Sequence, residues 1–178
     1  MDSFRTRIPA PSFPFRVSHE SKVVLLGSCF AESVGEKLSS RKFDVVTNPF
    51  GILFNPFSIV NALERMLNNR PYVAAELEHV DEHWVSLDHH GAFKRKNSDE
   101  ALSSMNDALE SGRKQLLASN VIFITLGSAW VYRHLTRDHI VANCHKIPNN
   151  KFKKELLSFQ EAHLIMRQIP QFLASMKI

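Results

Sequence analysis

Apolar positions along this chain switch between two periods. Val23, Val24, Leu25 and Leu26 form an unbroken run that ends at Gly27. Four β-prone residues without alternation fit a strand covered on both faces. Phe30, Val34 and Leu38 then recur at helical spacing and predict a helix over 30–40. Residues 43–47 read as a second strand. Asn55-Pro56 reads as the cap and first turn of a helix carrying Phe57, Val60, Leu63 and Leu67 on one side. From 71 to 97 the pattern is mostly irregular, with a short strand expected at 83–87. Leu102, Met105, Leu109 and Leu116 mark a helix over 99–118, and residues 121–125, Val-Ile-Phe-Ile-Thr, form the strongest strand pattern in the chain. Residues 130–134 and 139–143 are expected to pair around Thr136-Arg137-Asp138. Ser158 with Glu161 spells a capping box for a last helix running to about 174, with a kink at Pro170.

This alternation predicts an α/β fold, a three-layer sandwich with a mainly parallel sheet. Residues 1–21, with Pro9, Pro11 and Pro14, read as an irregular lead-in, and 22–178 as one domain. In such folds the loops after parallel strands gather on one edge of the sheet, where ligands bind. The loops after 23–27, 43–47 and 121–126 would bring Ser28, then Asn48 and Gly51, then Gly127 and Ser128 together. Ser28 would stand at a strand end and at the start of a helix. A serine so placed is either a nucleophile or a helix cap.

Composition narrows the function without naming it. A net charge of +4 is mildly basic, but the basic residues are scattered, and Lys94-Arg95-Lys96 has only Phe93 as an aromatic neighbour. Nucleic acid is therefore not an expected partner. No stretch approaches a membrane span, and the amino end has no apolar core of signal-peptide length, so a cytoplasmic protein is expected. The two cysteines, Cys29 and Cys144, do not make a disulfide framework.

Several segments carry a resemblance. Gly27-Ser28-Cys29-Phe30-Ala31 is followed by Asn48-Pro49-Phe50-Gly51-Ile52 and then Asp88-His89-His90. Thr125-Leu126-Gly127-Ser128-Ala129-Trp130-Val131-Tyr132 and Asn143-Cys144-His145-Lys146-Ile147-Pro148 complete the series. In this order they resemble the GSCFA domain family, which is similar to the SGNH (GDSL-like) hydrolases. The resemblance implies a flavodoxin-like sheet and a serine acyl-transfer site. Ser28 would be the nucleophile and Gly51 an oxyanion donor. The third block departs from the pattern: Ala129 stands where Gly-x-Asn would put asparagine. Ser128 or Asn48 would have to fill that role, or Gly127 and Ser128 merely form a turn. Phe50 and Trp130 would wall an acyl or sugar pocket.

A serine nucleophile needs a base. The resemblance implies a histidine in a later segment, beyond a further strand, so the chain reads as shortened at its carboxyl end. Within the chain as given, His145 and His90 are the candidates. Cys29 is expected to be a small buried packing residue rather than a second nucleophile. His79-Val80-Asp81-Glu82-His83 has the His-x-x-Glu-His order of some zinc peptidases. The strand pattern from His83 to Leu87 works against the helix such a site requires. No metal and no cofactor is therefore expected. The expected activity is hydrolysis or transfer of an acyl group from a small-molecule or carbohydrate ester. The rival is a non-catalytic domain binding a small anion or sugar.

Overall fold

Strand β1 (Lys22–Gly27) is the centre of the fold, and its side-chain alternation sets the layers. It pairs in parallel with β2 (Asp44–Thr47) on one side and with β5 (Val121–Thr125) on the other. Val24 and Leu26 face one way, into a core with Ile59, Leu63 and Met66 of helix α2 (Pro56–Leu67) and Met105 and Leu109 of α3 (Ser98–Ala118). Val23 and Leu25 face the other way, against Ala31, Val34 and Leu38 of α1 (Cys29–Ser40). Burying each such aliphatic side chain contributes about 1.5–3 kcal/mol. The computed structural model describes residue 9 and residues 11–175. The lead-in expected over 1–21 lies partly outside these residues, and 176–178, expected to approach a further strand, lie wholly outside them.

The helix starts follow their caps. Ser28 caps α1, Asn55 caps α2 with Pro56 at the first position, and Asn97 caps α3. Ser158 and Glu161 make the expected capping box of α4 (Phe159–Met166). The predicted last helix is in fact two. It breaks at Arg167, and α5 (Gln168–Ser175) holds Pro170 in its first turn. Proline lacks an N–H and its ring clashes with the carbonyl four residues earlier, so the disruption falls before Pro170 rather than at it.

The α/β class holds, but the sheet is less parallel than expected. Among the described residues the parallel sheet has three strands, in the order β2-β1-β5. The others are antiparallel. Strands β3 (Leu77–Val80) and β4 (His83–Ser86) form a hairpin, and β6 (Trp130–His134) lies between β7 (His139–Val141) and β8 (Phe152–Leu156). The reason lies in the connections. Asp81 and Glu82 turn the first hairpin at φ 45° and 62°, and Asp138 sits at φ 47° between β6 and β7. Turns this short can only reverse the chain, whereas a parallel step needs a long crossover.

Candidate functional site

The carboxyl ends of the three parallel strands meet as the strand directions require. Gly27 ends β1 at φ 131°, where a side chain would collide with the Thr125 carbonyl. The next residue, Ser28, is only 6% exposed. Its N–H donates to the Thr125 carbonyl at 3.2 Å and to the Thr125 hydroxyl at 3.0 Å. Its own hydroxyl accepts from the Phe30 N–H at 3.3 Å and lies 3.1 Å from Thr125 Oγ1. Ser28 therefore caps α1 and bridges β1 to β5. A nucleophile's hydroxyl would stand at least partly open to solvent; the cap and the bridge draw this one inward instead.

Asn48 follows β2 and is tied to the same corner. Its N–H donates to the Leu25 carbonyl at 2.9 Å, and its Oδ1 accepts from the Gly27 N–H at 2.8 Å. Its Nδ2 is buried with no hydrogen-bond partner among the described residues. The third loop closes over Ser28. A Cβ on Gly127 would stand 3.1 Å from that of Ser28, and both Gly127 and Ser128 donate their N–H groups to the Phe54 carbonyl. Ser28, Asn48 and Gly127 thus share one corner.

Other candidates sit elsewhere or are already engaged. The Gly51 N–H donates to the Asn48 carbonyl at 2.7 Å, closing a turn, so it is not free to hold an oxyanion in this geometry. Gly51, at φ 78°, packs against the side chain of His90. Phe50 does not wall an open pocket. It is 2% exposed and packs edge-on to Tyr72, because the apolar ring serves the core between sheet and helices. Trp130 is nearly half exposed on the antiparallel sheet, with Lys154 Nζ 4.3 Å from its ring centre. Ser128 Oγ accepts from the Trp130 N–H in a local turn. Cys29, expected to be buried, is exposed, since the first turn of α1 projects it outward.

The histidines divide by environment. His90 is half-buried and caps a short turn through Nδ1, with its N–H on the Phe50 carbonyl at 3.0 Å. His145 Nε2 lies 2.8 Å from the Ser86 carbonyl. Burial lowers its pKa, against the raising effect of the Ser86 and His89 carbonyls. No imidazole among the described residues hydrogen-bonds Ser28. His79 and His83 sit on two paired strands, not on one helix, and the described residues hold no cluster of three metal-ligating side chains.

Sequence reasoning missed two groups. Thr125 was read as a strand end, yet it is the partner of Ser28; its signal was a hydroxyl directly opposite Gly27 in the register. Arg65 was hidden in an apolar helix stripe. Its guanidinium is 1% exposed, bonds both oxygens of Glu76 at 2.8 and 2.7 Å and lies 3.6 Å from Asp88. It also donates to the Arg70 and Pro71 carbonyls and stacks 3.4 Å over the Tyr72 ring. Asp88 therefore answers Arg65 and not the neighbouring imidazoles. Burial raises the Asp88 pKa. Burial pushes the same way at Glu76, but the Arg65 bonds outweigh it and hold that carboxyl below its usual range.

No curated protein and no solved structure matches this chain. The GSCFA family model does match, over residues 22–178, a span that contains β1, the Ser28 corner, the Arg65 cluster and the His145 turn. On that match the chain belongs to the GSCFA family.

Proposed function

We propose that this domain is an SGNH-like serine acyl hydrolase or acyltransferase acting on an ester, with an O-acyl carbohydrate as one candidate substrate. One observation carries the reading: Ser28 stands at the end of a parallel strand and the head of a helix, with the loops of Asn48 and Gly127 against it. A helix start favours the negative charge that develops on an ester oxygen. In this reading Ser28 Oγ attacks the ester carbonyl while its proton passes to a base. The base returns the proton to the departing alcohol as the ester C–O bond breaks, and water or an acceptor hydroxyl then takes the acyl group from Ser28. The Asn48 amide, whose Nδ2 lacks a partner, is the free donor nearest the corner. His90 is the candidate base, because its side chain packs against Gly51 in the loop that Asn48 begins. For catalysis the Ser28 hydroxyl must turn away from Thr125 and gain access to substrate.

A second reading has its own support. The N–H groups of Ser28, Gly51, Gly127 and Ser128 are all engaged within the protein. With those N–H groups taken, the alternative is a non-catalytic domain in which other groups of the same loops hold a small anion or sugar. A fluorophosphonate probe separates the two. Labelling that disappears in Ser28→Ala supports the enzyme. A folded protein that resists the probe, or one whose labelling survives Ser28→Ala, leaves the binding domain.

A further inference from the structure

We propose that the cavity between the β3–β4 hairpin, Lys94 and the turn over residues 143–146 binds the oxyanion group of a small molecule, a phosphate or a carboxylate, held by Lys94 and Lys146. The cavity measures about 420 Å³, and its lining includes Asp81, His83, Lys94, Asn143, His145 and Lys146. It does not depend on the Ser28 reading and shares no lining residue with that corner.

The charges in it are unbalanced. Among the described residues neither Lys94 nor Lys146 joins an ion pair, while Asp81 is the one carboxylate lining the cavity. Asn143 uses its Oδ1 to accept from the His145 N–H at 2.9 Å, which leaves its amide NH₂ to donate. Two ammonium groups and an amide donor, none with an acceptor of its own among the described residues, match an anion's oxygens.

The turn that presents Lys146 is held firmly. Its closing bond runs from the Ile147 N–H to the Cys144 carbonyl at 2.9 Å, with His145 at φ 47° and Lys146 at φ 63°. Two successive non-glycine residues in the left-handed region persist only where surroundings enforce them. The enforcement is visible. Asn143 N–H donates to the Leu87 carbonyl at 3.1 Å, and the His145 ring is anchored to the Ser86 carbonyl. His145 is therefore a positioning residue that locks the turn onto β4 and the following loop. A site built in advance loses little freedom when it binds.

The test titrates the full chain with inorganic phosphate and, separately, with acetate, following backbone amide resonances. Saturable shifts centred on Gly91, His145 and Lys146 are expected. The stronger of the two anions identifies the ligand as a phosphoryl or a carboxyl compound. The Lys94→Met/Lys146→Met double variant should bind about tenfold or more weakly, as expected for loss of charge-assisted bonds. Both lysines are exposed, so the variant keeps its fold, which unchanged resonances of Ser28 and Thr125 verify. Lys114→Met, on α3, should bind as the parent does. The absence of saturable shifts at the turn with either anion, or equal binding by the double variant, overturns the proposal.

Discussion

The Ser28 and Thr125 hydroxyls lie 3.1 Å apart, and the Ser28 N–H donates to the same threonine. This pair ties the head of α1 to the end of β5 across the top of the sheet. Ser28→Ala removes both the cap and the hydroxyl contact, and should cost about 1–2 kcal/mol in urea unfolding. Thr125→Val should cost about 0.5–1.5 kcal/mol, because it removes the two hydroxyl contacts while the Ser28 N–H keeps the Thr125 carbonyl and the Ser28 hydroxyl keeps the Phe30 N–H. The double variant should cost less than the sum of the two, by about 0.5 kcal/mol or more. Strict additivity would mean that the two side chains do not share a bond in solution.

Arg65 is the most exacting residue in the chain. It is a buried cation answering Glu76 and Asp88, so Arg65→Met leaves two partly exposed carboxylates without their cation. Breaking such an arrangement by removing one partner costs about 3–5 kcal/mol. Glu76→Gln keeps hydrogen-bonding capacity and should cost clearly less. Equilibrium unfolding of the two variants checks the order, and equal losses would deny Arg65 its central role.

The parallel half of the fold was legible because its signals are local. Val23 to Leu26 and Val121 to Ile124 are apolar without alternation, and Ser28 and Asn55 are caps. The corner joining Ser28, Asn48 and Gly127 followed from strand direction. Strand β8 was missed because Phe-Lys-Lys-Glu-Leu hides its period: Phe152 alone is buried, and the lysines face water. The sequence also gave no sign that the Ser28 hydroxyl would be drawn inward, since that depends on Thr125, ninety-seven positions away. Arg65 was invisible for a similar reason. Its carboxylates come from segments that looked irregular, and a helix stripe does not reveal which positions bury charge.

Gly51 turns the loop that follows Asn48 and packs it against His90. Its φ of 78° suits glycine, and a Cβ there would press into the His90 side chain. Gly51→Ala should therefore destabilise the protein by about 1–2 kcal/mol from the backbone alone, with the clash adding to it. It should also shift the His90 ring resonances. Gly91→Ala is the control, since a Cβ there meets nothing within 4 Å. Equal stability of the two variants would mean that the loop adopts another path.

His89 makes stability depend on pH. Its ring is fully buried among Phe50, Tyr72 and Phe93, and neither nitrogen has a hydrogen-bond partner among the described residues. Burial, aided by the charges of Arg65 and His145, lowers its pKa from 6.5 to about 3. The folded value lies below the unfolded one, so between these limits the unfolded chain binds a proton that the folded chain refuses. Stability therefore falls as pH drops below 6.5, by up to about 1.4 kcal/mol for each pH unit. His145, also lowered by burial, adds in the same direction. Asp88 opposes them: its raised pKa favours the neutral acid in the fold, so its contribution is lost as pH rises through the folded value. Glu76, lowered by Arg65, contributes above its unfolded pKa and loses that contribution as pH falls through the folded one. Replacing His89 by leucine isolates its share. The orphaned nitrogens disappear with the ring, so stability at pH 7 should stay within about 1 kcal/mol of the parent. The decline in urea midpoint from pH 7 to pH 4 should become shallower by one proton's worth of slope. Parallel acid profiles for parent and His89→Leu would show that the imidazole reaches solvent.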